Sequence, residues 1–587
     1  MNMNQNQNGA FYAPPYAGTG NPFPAGQGAP AYIPQPKPPV EPASRTDIVF
    51  CFLYLAVSFL IIDWALFGLF RLGFTLCYAV MFAVTLVYLC LSKPRARFTP
   101  FTVITGLLSL AAAGIPAVFC HWGVNFLSVV SVLILYAITV GGIAQADLFS
   151  SGGIGVIGNM AIFYLVRPFY HLVDSFSSIR AAHPGRKTVL RYILLGLLLS
   201  VPLLCIVLPL LNRADAAFEL VFSKMFGNLG KWFGRLLLAL VIFPFIYALL
   251  WGVVHKKKLS DAPAGRKTGC QIMPSAVSVT LLCVLGVFYL IYLFSQLAYF
   301  TDAFQGVFPQ DYDNTVAAYA KRGFFETIAI SAINLTVVAL IALFTKREGR
   351  KRLPVSALLP TFFITAFSLF LLASAAFKMY IYMDCYGLTR LRVSASVFLL
   401  FVLIAWIAAV IRLLAPGFPF MRMVIVACFA IGIAVGYADI DRVVVSYNIS
   451  AWQSGQLREL DLAMTEEMSD SIVPQLIGLL DSEDETVRLS AAVSLREKFC
   501  HYYELEEQDD SIWWDRSGYY DDNGNPVLPP LREEFVPYEE TEWFTGYNRS
   551  ERIAKRLLWE NYDRIHDEAY FLDLQREVSA FDDWAEE

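Results

Sequence analysis

A chain of 587 residues in which 56% are apolar and only 16% charged departs from soluble enzymes, where about a quarter of residues carry charge. Its mean hydropathy of +0.51 comes from repeated apolar runs of about 20 residues, each able to cross a ~30 Å hydrocarbon slab as a helix. An ordinary cytosolic enzyme is excluded, and the net charge of -5 divides into +17 over residues 1–440 and -22 over 441–587, a basic membrane body with an acidic, water-soluble tail.

Residues 1–46 hold ten of the 30 prolines and almost no aliphatic side chains, so they are expected to be a disordered tether. No basic start followed by an apolar stretch is present, which leaves the first membrane helix to act as the targeting signal. From there the chain reads as an all-α polytopic body over 47–440. Eleven helices are expected near Ile48–Leu66, Leu72–Leu91, Phe101–Phe119, Val124–Gly142, Thr188–Leu211, Trp232–Val254, Val277–Phe300, Phe324–Phe344, Val355–Phe377, Ser394–Leu414 and Met423–Ala438. The first two form a hairpin, because 45 apolar residues in one helix would rise ~67 Å, enough for two crossings.

Basic clusters fall in alternate loops: SKPRAR from Ser92, IRAAHPGRK from Ile179, HKKK from His255, TKREGRKR from Thr345 and the Arg412 to Arg422 turn. By the positive-inside rule these loops, and the amino terminus, belong in the cytoplasm, which puts the tail outside. The apolar segment at 152–173 would reverse that order if it spanned. It is therefore read as re-entrant or interfacial, with Arg167, His171 and Arg180 reaching headgroups.

The tail, 441–587, is expected to be a mainly helical extracytoplasmic domain. Over 473–498, Leu476 and Leu480, then Val487, Ala491 and Leu495, recur at helical spacing around an acidic turn, as in one unit of a HEAT-type repeat. DDNGNPV from Asp521 reads as a turn, and the segment from Trp543 as an amphipathic helix.

Chemistry-bearing patterns are few. Gly153, Gly155 and Gly158 spell GxGxxG but lack the preceding strand that would aim N–H groups at a pyrophosphate. The six histidines have no ligand spacing, none of the ten cysteines forms a CxxC pair, and Asp521, Asn523 and Asn525 lack the glycine of a calcium loop. No metal, cofactor or nucleic-acid partner is expected. Asp63 lies inside a helix and must be paired or wetted; Arg71, two turns on, is the expected partner, with a proton or substrate relay as the other reading. Further polar groups at depth are limited to Glu326, Asn334 and Gln296. Gly432 and Gly436 permit close helix contact, and Pro116, Pro202, Pro209, Pro244 and Pro360 would kink or break their helices.

YAKRGFFETIAISAINL at Tyr319, YGLTRLRV at Tyr386, SYNISAWQSGQ at Ser446 and WFTGYNRSERIAKRLL at Trp543 resemble an uncharacterised family of bacterial multi-pass membrane proteins, a domain of unknown function in the 4153/4173 group. The resemblance implies topology and a bacterial cell-membrane setting, with no catalytic residues. By the helix order, Tyr319, Lys321 and Arg322 lie at one external mouth, and Tyr386, Arg390 and Arg392 at another. Their cations are expected to dock the acidic tail. The expected function is a non-enzymatic sensor, scaffold or accessory of the cell envelope, with lipid bilayer and an envelope protein as partners. The rival readings are a transporter or channel, which needs a polar path at depth, and a membrane transferase on lipid-linked substrates, which could draw on Asp302, Asp311, Asp313 and Glu326.

Overall fold

The computed structural model describes residues 42–66, 71–92, 96–119, 121–147, 155–182, 229–255, 273–304, 324–346, 353–465, 467–503, 512–514, 519–521, 526–527 and 547–566. Residues 1–41 of the expected tether and the expected helix Thr188–Leu211 lie outside them, as do Pro202, Pro209, Tyr319, Lys321 and Arg322, whereas Arg45 and Thr46, counted with the tether, already belong to the first helix. The described residues fall in one compact unit.

Helix starts follow local chemistry. Ser44 and Asp47 form a capping box that opens α1, Arg45–Leu60, whose end widens into a π-type turn at Ile61–Leu66. Helix α2 is Leu72–Leu91. Thr99 caps α3, Pro100–Val118, which has proline at its first position, where no N–H is needed. His121 caps α4, Trp122–Ile143. A broken segment follows, comprising α5 (Gly155–Ala161), a π-type turn, α6 (Arg167–Tyr170) and α7 (Leu172–Ala182), bent by 48° at His171. The remaining membrane helices are α8 (Leu229–His255), α9 (Ser275–Phe304), α10 (Phe324–Phe344), α11 (Val355–Tyr386), α12 (Arg390–Leu414) and α13 (Phe420–Tyr437). Ten described helices are long and apolar enough to cross a membrane, or eleven with the bent segment as one span. The protein is thus an all-α polytopic membrane protein. Pro116, Pro244 and Pro360 sit within continuous helices.

The direction of each helix is fixed by its contacts. His255 Nε2 lies 3.4 Å from Asp47, and Arg235 pairs with Asp63, so α8 runs antiparallel to α1. The backbone N–H of Ala43 donates to Ser178 O (2.9 Å), which places the end of α7 at the Asp47 end of the bundle, whereas α8 begins at the Asp63 end. Arg422 lies over the Phe101 ring (5.3 Å), and the Tyr437 hydroxyl donates to Ala111 O (2.8 Å), so α13 runs alongside α3 in the same direction. Consequently the connections bearing SKPRAR, HKKK, TKREGRKR and the Arg412 to Arg422 turn all leave helix termini at the Asp47 end.

Among the described residues three apolar cores fill the membrane body. Phe50, Tyr54, Tyr136, Tyr247 and Trp251 belong to the core of α1–α4 and α8, and Leu282, Ile364 and Trp406 to that of α9–α12. The smallest is formed by Phe324, Leu372, Ala375, Met379 and Leu399 of α10–α12. Helix α13 touches the first two, with Gly436 against Ile115 of α3, where an added Cβ would lie 2.8 Å from Cδ1. Gly432 faces Phe401 of α12 more loosely, at 3.8 Å.

The bent segment corrects the expectation that Arg167 and His171 reach headgroups. The Arg167 guanidinium is buried and donates to Ala146 O and to Gly252 O, the latter at 3.4 Å. His171 is also fully buried, beside Trp251. Burial strips the guanidinium of water, and the two carbonyl acceptors near helix ends offset part of that cost. Tyr164 reaches the middle of α4, donating to Leu133 O (2.7 Å).

Beyond α13, Asp439 caps α14, Ile440–Gln453, and short 3-10 turns lead to α15 (Val473–Leu479) and α16 (Glu485–Tyr502). Leu476, Leu480, Val487, Ala491 and Leu495, all expected to share an apolar face, are buried in one core with Ala554 and Leu558 of α17, Arg549–Glu560. A four-residue helix α18, Tyr562–Ile565, ends the described part. The tail also holds a small antiparallel sheet of β1 (Ile512–Trp514), β2 (Tyr519–Asp521) and β3 (Pro526–Val527), where only a turn was expected.

Candidate functional site

The segment YGLTRLR joins α11 to α12 at the Asp63 end, and most of its residues shape the turn or hold the tail. Gly387 adopts φ +71°, and a Cβ there would lie 2.6 Å from Asn448 Oδ1, so only glycine fits. Asn448, on α14, accepts from Leu388 N–H (2.7 Å) and donates to Leu388 O (2.8 Å), pairing with the turn as a strand neighbour would. Thr389 caps α12. The Arg390 guanidinium donates through Nε and Nη2 to the two oxygens of Asp441, both at 2.8 Å, and Nη2 also donates to Glu467 O (2.9 Å). Arg392 turns back instead. It donates to Tyr386 O (2.8 Å) and Gly387 O (2.5 Å) and lies 4.1 Å over the Tyr382 ring, closing the C-terminus of α11. Of the cations expected to dock the tail, Arg390 does so directly and Arg392 shapes the turn that presents it.

The acids at this junction are set apart by their surroundings. Burial pushes the Asp441 carboxyl up, but its bonds to Arg390 and to Ser469 N–H (2.8 Å) outweigh burial and hold it below the usual carboxylate range. Asp439, at φ +51° where its side chain caps α14, is raised by burial despite the Ser471 hydroxyl it accepts at 2.8 Å. Burial also lowers the Lys498 ammonium, which donates to Met468 O (2.8 Å) beside Asp470.

A second attachment lies on α2 and α3. Arg71 pairs with Glu551 of α17 at 2.8 Å, Leu72 N–H donates to Tyr547 O (3.2 Å), and Asn548 Nδ2 donates to Pro116 O (3.0 Å). Asn548 also accepts from Glu551 N–H as the cap of α17. Lys555, one turn on, approaches Glu551 at 3.2 Å.

These contacts correct the expected Asp63–Arg71 pair. Asp63 is bonded by Arg235 from α8, and Arg71 points out of the bundle to the tail. A carboxylate inside a span is drawn to the cation that can reach it through the apolar interior, whichever helix carries it. An Asp63→Arg, Arg235→Asp exchange is therefore expected to restore much of the folded yield lost by Asp63→Asn, whose cost is about 2.5 kcal/mol or more on insertion scales. The corresponding exchange with Arg71 is expected to restore none. Yield of monodisperse protein after detergent extraction distinguishes the two.

Polar groups at depth are more numerous than Glu326, Asn334 and Gln296. In the first core the Tyr54 hydroxyl donates to Thr85 (3.2 Å), which also bonds the Tyr136 hydroxyl (2.8 Å), and Tyr78 donates to Ser109 (2.9 Å). Thr85 and Ser109 in turn donate to Met81 O and Gly106 O. In the second core Tyr289, Asn334 and Ser368 form a chain that ends on Ile364 O. Each chain stops at a helix carbonyl, the pattern of interhelical fastening. Tyrosine counted as apolar in the sequence, which hid these chains. Among the described residues no group of three or more His, Cys, Asp or Glu side chains is placed to hold a metal ion.

Asp441, Asn448, Arg235, Asn548 and Glu551 were not singled out from sequence. The spacing of Asn548 and Glu551 is a capping pattern that marks the start of α17, but nothing local shows which membrane helix it meets. No curated protein and no solved structure matches the chain. A family model described as a domain of unknown function matches residues 102–479, from α3 through the Arg390 to Asp441 junction to α15, so this polytopic membrane protein belongs to the DUF4153 family.

Proposed function

We propose that the protein is a non-enzymatic platform of the bacterial cell envelope that holds its acidic C-terminal domain at a fixed orientation on the extracytoplasmic face, as a sensor or accessory for an envelope protein. The observation that carries this reading is the double attachment of that domain, through Arg390 and Asp441 to α12 and through Arg71, Glu551 and Asn548 to α2 and α3. Buried bonds at two places resist the free tumbling expected of a merely tethered domain. The sidedness rests on the basic connections at the Asp47 end, which the positive-inside rule assigns to the cytoplasm. The closure of the buried hydroxyl chains on helix carbonyls favours a fastened bundle over a transport path.

Reporter fusions at Ser260 and Gly349 are expected to read as cytoplasmic, and one at Gly546 as external. An external reading at Gly349 would overturn the orientation.

A further inference from the structure

Helix α3 takes hydrogen bonds both from the span that leads into the C-terminal domain and from the cap of α17 within it. Pro116 has no N–H, so Ala112 O lacks its intrahelical donor. Ser128 of α4 fills that place at 2.6 Å. The neighbouring carbonyls also take side chains from other helices: Ala113 O accepts from Thr75 of α2 (2.7 Å), and Ala111 O from Tyr437 of α13 (2.8 Å). Gly114 makes the last approach possible, since a Cβ there would collide with the Tyr437 hydroxyl. Tyr437 is the residue at which the membrane body passes into the domain, two before the Asp439 cap. Pro116 O, at the open end of the same helix, accepts Asn548 of α17. The span that leads into the domain and the cap of α17 within it are therefore both hydrogen-bonded to Ala111–Pro116.

Toward the other membrane face α3 is gripped along its length. Ser109 accepts from Tyr78, Thr105 accepts from Thr139 (2.9 Å), Gly106 lies against Phe82 and Thr139, and Phe101 sits under Arg422. Contacts to α2, α4 and α13 thus continue from Ala111–Pro116 to the Pro100 end. We propose that α3 is the transmission element of the protein: movement of the C-terminal domain is carried by α3 to its own start and to residues 96–99 before it, on the opposite face. This deepens the sensor reading above and rests on it for its biological direction, but the coupling itself does not depend on which face is external.

The test measures distances in the full chain in nanodiscs, with spin labels introduced through an encoded keto side chain. One pair, at Leu66 and Arg556, reports whether the domain has moved. A second, at Phe98 and Leu414, reports the far end of α3, and a third, at Lys346 and Leu414, serves as reference within the α9–α12 part of the body. Asn548→Asp keeps the helix cap but removes the donor to Pro116, and Tyr437→Phe removes the bond to Ala111. Together they are expected to shift the first and second pairs by roughly 2 Å or more, the scale of helix displacements at packed interfaces, and to leave the third unchanged. A shift in the first pair alone would overturn the proposal, as would equal shifts in all three, which mean general loosening. An unchanged first pair would overturn it too, because the two bonds would not then be what holds the domain. Reporter fusions that placed the domain inside would sink the display reading while leaving these distances, and the coupling, intact.

Discussion

Arg390→Ala is expected to destabilise the junction by about 3–5 kcal/mol, the usual cost of stranding one member of a buried ion pair. Asp441 is only 6% exposed, and without the guanidinium its charge retains Ser469 N–H and the more distant Lys498. The double variant Arg390→Ala, Asp441→Asn should be milder than Arg390→Ala alone. It removes the stranded charge, and the amide oxygen can still accept from Ser469. Arg390→Lys should fall between, since an ammonium cannot span both carboxylate oxygens. Protease release of the C-terminal domain from the purified full chain measures all three. A double variant that is released faster than the single would show that the charge pair is not what holds the junction.

Acid is expected to loosen the same domain from within. His566 is 5% exposed, stacked on Tyr562 at 4.2 Å and edge-on to Phe499 at 5.3 Å, and burial pushes its imidazole down to about 3. Arg496 adds to the depression. The unfolded chain takes up the proton near 6.5 and the folded domain does not, so stability is full above 6.5 and falls by about 1.4 kcal/mol per pH unit as pH drops toward 3. At pH 5 the loss is about 2 kcal/mol by the same relation. Asp441, held low, keeps its contribution above its ordinary value of 3.8 and loses it as pH falls below that. Asp439, raised by burial, acts in the opposite sense, because the folded state favours its protonated form. His566→Phe should therefore flatten the melting profile of the domain between pH 7.5 and 5. A profile that stays parallel to the unaltered protein's would assign the acid response to another group.

Much of this protein was legible as sequence. The hydrocarbon slab imposes a length and a composition on every span, and helices satisfy their own backbone bonds, so ten of the eleven expected helices coincide with described ones to within a few residues, α11 excepted, which runs on to Tyr386. Helix α14 follows directly on the last described span, close to where the charge divides. The apolar face of α15 and α16 was readable from a spacing of three and four residues.

Partnership between distant residues was not legible, because it depends on which helices become neighbours. Asp63 had a plausible cation two turns away in Arg71, yet the fold brought Arg235 of α8 to it and sent Arg71 to Glu551. Arg167 and His171 looked like headgroup ligands by position, yet both are buried, Arg167 on carbonyls of Ala146 and Gly252. The buried tyrosine chains were invisible because a hydroxyl's role at depth is set by the carbonyl or threonine opposite. Local rules thus determined the spans, the caps and the amphipathic faces, each governed by neighbours within one or two helical turns. Only the tertiary structure decided the pairings of charge and hydrogen bond, since desolvation makes a buried polar group take whatever complementary partner packing places within reach.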